Sequence, residues 1–177
     1  MRLGEYQLAS RETAVYPGIG NTLIYPTLGL AGETGELLEK ALSGSPKEDL
    51  MGELGDVLWY LAQLAAELSL NLDTLPQPAD ALASSERPTN LVAACSLLVV
   101  DVGIFTECTK KLLRDDQEVL TDQRRSQFNE LLSKALASWH LVAHQANIIP
   151  DICADVSYAK LMSRLERGVV GGSGDNR

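Results

Sequence analysis

Basic residues are scarce in this chain of 177 residues: 15 Lys and Arg face 24 Asp and Glu, leaving a formal net charge of −9. That deficit opposes tight binding to nucleic acid or to an anionic membrane, since both partners are polyanions. A small anionic substrate would bind only beside a cation or a local basic cluster. Histidine is rarer still. His140 and His144 lie four apart, as zinc ligands on a helix do, but no third ligand follows nearby. A carboxylate-bridged di-iron bundle is disfavoured as well, because its Glu-x-x-His motifs are missing. The three cysteines, Cys95, Cys108 and Cys153, are an odd number without close pairing, and no basic start followed by an apolar run opens the chain. They read as reduced, mostly buried thiols of a cytoplasmic protein. Long hydrophobic runs are missing too. The most apolar stretch, residues 97–105, is interrupted by Asp101 and is far shorter than the roughly 20 residues that span a bilayer. It reads as a core helix, and no membrane association is expected.

Strand signals are hard to find, whereas apolar residues recur at helical spacing almost throughout, with prolines clustered between the periodic segments. The expected fold is all-α, one helical domain over 1–177. A first helix is predicted over about 3–16, ended by Pro17, Gly18 and Gly20, and a second that follows Pro26 and reaches about Leu42. Ser45 and Pro46 suit the cap and first position of a third helix that runs to about Leu70, with Glu48 and Asp49 favoured by the helix dipole. Together these form an acidic section, 1–72. Residues 73–89, with Pro76, Pro78 and Pro88, read as a linker or irregular loop. Further helices are expected at about 90–114, 122–147 and 151–167, the last followed by a glycine-rich tail that becomes ordered when something binds. A faint repeat relates the halves. Gly29, Leu30, Glu33 and Glu36 align with Gly103, Ile104, Glu107 and Lys110, and Trp59 with Trp139, but Ser133 and Leu136 stand where Glu53 and Asp56 would be. Residues 90–150 therefore read either as a degenerate second repeat or as chance similarity between amphipathic helices.

At about 100° per residue, Leu30, Thr34, Leu37 and Ala41 form the apolar face of the second helix, with Glu33, Glu36 and Lys40 on one flank. The third helix repeats the layout, with Leu54, Val57, Leu61, Leu64 and Leu68 inside and Glu53, Asp56 and Tyr60 on the flank. Helices joined by a short turn pack antiparallel, so the flanks can face each other. Gly29, Gly32, Gly35, Gly52 and Gly55 would let the backbones approach, although each costs roughly 1 kcal/mol of helix stability relative to alanine. Four carboxylates converging in a partly buried cleft repel one another and tend to protonate unless a cation is present. With neither histidine nor cysteine in the set, a hard ion such as Mg²⁺, or Mn²⁺ in its place, fits better than zinc. Spacing alone favours the plainer reading of two solvated acidic helix faces, since acidic pairs three apart are common on surfaces.

The segment from Leu28 to Lys40, LGLAGETGELLEK, followed by ELGDVLWYLA from Glu53 to Ala62, resembles the signature of MazG-like, all-α nucleoside triphosphate pyrophosphohydrolases. Tyr6, Gln7, Thr13, Tyr16 and Pro17 resemble that family's first helix. Ala159, Lys160, Leu161, Arg164, Arg167, Gly168 and the closing GSGDNR of residues 172–177 resemble the tail of one branch. The resemblance covers about half the chain.

It implies that Glu33, Glu36, Glu53 and Asp56 hold Mg²⁺ bound to a triphosphate while an activated water attacks phosphorus and pyrophosphate leaves, with one glutamate as general base. It places Lys160 and Arg164, one helical turn apart, on the phosphates, with Arg167 and Arg177 as weaker candidates. Lys40 and Tyr60 neighbour the acids. Trp59 is a candidate for stacking on the base, although Trp59 and Trp139 both sit in core-like patterns, and Gln7 is a candidate base or metal-shell contact. Two departures stand out. The branch carries asparagine where Ser157 stands, which puts a substrate contact there in question. Residues 90–147 also exceed the compact form of the family and resemble the second repeat of dimeric dUTPase-like relatives. The expectation is one active site per chain, its pocket shaped by the second half, in a homodimer or homotetramer that clears surplus or non-standard (d)NTPs. The alternative is a non-catalytic helical module that senses nucleotide.

Overall fold

The computed structural model describes residues 1–75 and 88–168, and among these every regular element is helical. Helix α1 covers Leu3–Ser10 and passes into a 3₁₀ turn, Arg11–Thr13; α2 covers Ile24–Ser43, α3 Lys47–Glu67, α4 Leu91–Asp116, α5 Asp122–Gln145 and α6 Pro150–Glu166.

Several boundaries have local causes that the periodicity does not report. The first helix stops six residues before Tyr16 because Ser10 and Thr13 turn their hydroxyls onto the backbone carbonyls of Gln7 and Ser10, competing with helix continuation. Pro26 lies inside the first turn of α2, where no backbone N–H is required of it. Gly44 ends α2 with φ 67°, a left-handed conformation that glycine adopts without a side-chain penalty. Pro46 rather than Ser45 occupies the cap of α3. That helix closes at Glu67 because Ser69 turns left-handed, φ 59°, and Leu70 donates back to the Ala65 carbonyl at 2.8 Å. Asn90 and Thr121 cap α4 and α5 by accepting from Ala93 and Arg124.

Helix α2 packs against both α3 and α4, α4 against α5, and α5 returns to α3, so two helical hairpins close one four-helix bundle. Helices α1 and α6 lie over the outer side of α3. The apolar faces read from the sequence all point inward: Leu30, Thr34, Leu37 and Ala41 on α2, and Leu54, Val57, Leu61, Leu64 and Leu68 on α3, are buried. The second hairpin contributes Phe105 and Phe128, in ring contact at 5.1 Å, and Trp139, whose indole donates to the Leu54 carbonyl at 2.9 Å. All three cysteines are free and buried.

Two expectations need correction. Asn71 to Leu75 is not an irregular surface segment: Leu72 and Leu75 enter the core, and Gln7 and Asp73 tie this stretch to α1. Pro76 and Pro78 lie outside the described residues. Helix α4 also exceeds the apolar run that announced it. Over its 26 residues it includes an 18-residue window of mean hydropathy 2.0, long and apolar enough by length and composition to cross a membrane. Its Ala94, Leu98, Val102, Phe105 and Leu112 face fills the bundle, while Leu97, Val100 and Ile104 are exposed.

Packing of α6 on α3 depends on Gly55. A methyl group there would stand 2.9 Å from the Ser157 side chain, tighter than nonbonded carbons tolerate. Replacing Gly55 with alanine should therefore destabilise the fold by about 1–3 kcal/mol, whereas Gly52→Ala, which meets nothing within 4 Å, should stabilise it by up to about 1 kcal/mol. Urea unfolding of the two variants measures both signs.

His140 supplies a pH-dependent element. It is buried in α5 against Trp139, neither ring nitrogen has a hydrogen-bond partner, and burial pushes its pKa down to about 4. The unfolded chain binds this proton near pH 6.5 and the native chain only near 4, so stability is lost as pH falls through that window. The loss should approach about 2–3 kcal/mol at pH 4. Denaturation at pH 7.5 and 4.5 should show this component in the wild type and not in His140→Phe.

Candidate functional site

Glu33 from α2 meets Glu53 and Asp56 from α3, with one carboxylate oxygen of each within 4.8 Å of the others. This is the one such ligand group among the described residues. Glu53 is buried at 4% exposure, while Glu33 and Asp56 are half-buried. The antiparallel hairpin brings the two flanks together, and the three donors are all hard oxygens, the chemistry that suits a divalent cation of the Mg²⁺ class.

Glu36 is placed differently. It lies one turn beyond Glu33 and is exposed, outside the compact trio. Two ammonium groups meet the acids in its place. Lys160 Nζ donates to Asp56 Oδ2 at 2.7 Å from α6, and Lys40 Nζ lies 4.0 Å from Glu53 Oε1. Arg164 follows one turn after Lys160 and is buried at 8% exposure. Arg167 is exposed, its Nε donating to the Ser163 carbonyl. Arg177 lies outside the described residues.

An aromatic cluster adjoins the trio. Burial, together with the nearby Tyr25, Glu33 and Asp56, holds the Tyr60 phenol well above the ordinary tyrosine range. It is therefore a neutral donor at physiological pH. Tyr25 stacks on Tyr16 with centroids 5.2 Å apart, and Trp59 meets Tyr60 and Tyr16 edge-on. The Trp59 indole donates to Thr13 Oγ1 at 2.9 Å, which fixes one edge of the ring to the 3₁₀ turn.

Beneath the cluster, Glu67 Oε1 accepts from Arg11, from the Tyr16 hydroxyl and from the Gly20 amide, at 2.7, 2.6 and 2.9 Å. Burial raises the Glu67 pKa, but these donors outweigh it and leave the group lowered overall. The loop before α2 is thereby clamped to α3. Tyr16, Tyr25, Arg11 and Glu67 went unnoticed as neighbours of the site because partners some fifty residues apart leave no local pattern. The one available signal was that Tyr25 precedes Gly29 and Glu33 at helical spacing.

Gln7 does not face the acids. Its amide donates to the Leu70 carbonyl and accepts from the Leu72 N–H, so both ends hold the turn after α3. Ser157 accompanies Gly55 in the interface between α3 and α6, where it also pairs with the Tyr6 hydroxyl at 2.8 Å. Among the five glycines, close approach is confined to two. A side chain at Gly29 would collide with the Tyr60 ring and one at Gly55 with Ser157, but Gly32, Gly35 and Gly52 meet nothing within 4 Å. In the second hairpin Glu107 is paired with Lys110 and Lys111, and Ser133 turns its hydroxyl onto the Asn129 carbonyl.

The MazG nucleotide pyrophosphohydrolase domain model matches residues 24–74, a span that holds α2, α3 and all four acids of the signature. The Gene 37 protein of Mycobacterium phage L5 is 40% identical to this chain over 92 residues, covering 44% of this chain and 81% of the phage protein. No solved structure matches the chain at a significant level. With the acidic hairpin matched in sequence and assembled in space, the chain belongs to the MazG-like nucleotide pyrophosphohydrolase family.

Proposed function

We propose that this protein hydrolyses a nucleoside triphosphate to the monophosphate and pyrophosphate, with Mg²⁺ as the metal and Mn²⁺ able to replace it. The observation that carries the reading is the convergence of Glu33, Glu53 and Asp56 with Lys40 and Lys160. Three half-buried or buried carboxylates within one small volume repel each other, and the ammonium groups beside them offset that repulsion.

The trio would hold Mg²⁺, which when bound neutralises phosphate charge and makes water more acidic. Around it the residues divide the work. Lys160 and Lys40 can release their carboxylates and take up phosphate oxygens as the triphosphate enters. Arg164 lies next along α6 to receive the pyrophosphate end. Glu36, exposed and outside the trio, is available to accept the proton of the attacking water. Tyr60, neutral and adjacent, donates a hydrogen bond without adding charge.

The same reading places the enzyme in the cytoplasm, clearing surplus or non-standard nucleotides as a homodimer or homotetramer. The exposed Leu97, Val100 and Ile104 of α4 support an oligomer.

Pyrophosphate release should require Mg²⁺ and fall about a hundredfold or more in Glu53→Gln and Asp56→Asn. Lys160→Met should lower kcat/KM by about tenfold or more, as loss of a charge-assisted hydrogen bond does. Undiminished turnover in Asp56→Asn would reject the mechanism. Stoichiometric binding of Mg-nucleotide without product over hours would favour a sensing module instead.

A further inference from the structure

Beside the aromatic cluster a cleft of about 520 Å³ opens between the loop before α2 and the carboxyl end of α4. Pro17, Asn21, Tyr25 and Leu28 line it from the first hairpin, and Leu113 and Glu118 from the second. Its volume lies within the range of small-molecule sites, and its lining is the mixture such sites use, apolar walls with a few polar groups.

Helix α2 runs from the cleft, which it lines with Tyr25 and Leu28, to the acidic site, to which it contributes Glu33. Tyr25 lines the cleft and stacks on Tyr16, which meets Trp59 edge-on, and Trp59 in turn meets Tyr60, the neighbour of Glu33 and Asp56. On the wheel of α2, Tyr25, Gly32 and Glu36 lie within about 40° of one another, and about 16 Å of helix axis separates Tyr25 from Glu36. Between them Gly32 is exposed and faces open space. A nucleoside triphosphate laid along this strip would have its base at Tyr25 and its phosphates at the carboxylates, crossing bare backbone in between.

Resting on the pyrophosphohydrolase reading, we infer that this cleft is the nucleoside subsite and that Glu118, supplied by the second hairpin, selects bases presenting N–H groups, guanine above the others. Tyr25 is already stacked on Tyr16, so its orientation is set before a base arrives. Glu118 is held by Thr22, whose hydroxyl donates to Oε2 at 3.2 Å. A carboxylate only accepts hydrogen bonds. Guanine offers it two adjacent donors, N1–H and the 2-amino group. Adenine and cytosine offer an amino group beside a ring nitrogen acceptor, and thymine and uracil offer one N–H flanked by carbonyl oxygens that the carboxylate repels. Asn21 can serve either kind of edge and adds no preference of its own.

The inference assigns a role to residues beyond the acidic hairpin: they complete the base pocket within the same chain. It is tested by calorimetric affinity for the α,β-methylene analogues of dGTP, dATP, dCTP and dTTP with Mg²⁺, alongside turnover of the natural nucleotides. The wild type should bind the guanine analogue roughly ten- to a hundredfold more tightly than the thymine analogue, and Glu118→Gln should remove most of that margin. Tyr25→Ala should weaken all four. Equal affinities, a thymine preference, or a guanine margin unchanged in Glu118→Gln would overturn the inference, as would failure to bind any analogue. Guanine-selective binding without hydrolysis would instead overturn the catalytic reading and leave the subsite standing.

Discussion

Like charges held close together are the constraint on which the site depends. Glu33, Glu53 and Asp56 reach the same small volume because α2 and α3 are joined by a tight turn and pack antiparallel through their leucine faces. Carboxylates so arranged are unfavourable in the folded chain unless positive charge reaches them. The molecule supplies some of it from two directions, Lys40 on the same hairpin and Lys160 from the far end of the sequence. These ion pairs are part of what lets the carboxylates sit together in the folded chain.

That arrangement explains why the helices outside the acidic hairpin matter. Helix α6 must lie close to α3 for Lys160 to reach Asp56, and the missing side chain of Gly55 gives Ser157 the room that permits it. Helices α4 and α5 cover the apolar faces of α2 and α3, so one chain closes its own bundle. The second hairpin carries no carboxylate trio like that of the first among the described residues. Where a carboxylate cluster would be, Glu107 is neutralised by neighbouring lysines and Ser133 bonds to its own helix. The end of α4 walls the cleft beside Tyr25.

Much of this was legible in the sequence because helical periodicity reports faces directly. Leu30, Leu37, Leu54 and Leu61 were recognisable as core, and the acids as a flank beside them. Periodicity gives an angle on one helix, however, and not the distance to the next. It could not distinguish Glu36 from Glu33, which share a flank but differ in their reach toward α3. Nor could it show that Gly32, Gly35 and Gly52 face open space while Gly29 accommodates Tyr60. Gln7, a candidate base or metal-shell contact from the sequence, instead spends its amide on the backbone at Leu70 and Leu72, a pairing that no local pattern reports. The clamp of Arg11, Tyr16 and Glu67 left no trace in any window, since it is made by residues that only tertiary packing brings together.

The central claim is that the trio is a cation site in its own right, prior to any substrate. Titration of the nucleotide-free protein with Mn²⁺, followed by the loss of the free-ion electron paramagnetic resonance signal, tests it most directly. The account predicts saturable binding that disappears in Asp56→Asn and is displaced by excess Mg²⁺. Equal Mn²⁺ uptake by the wild type and the variant would contradict it.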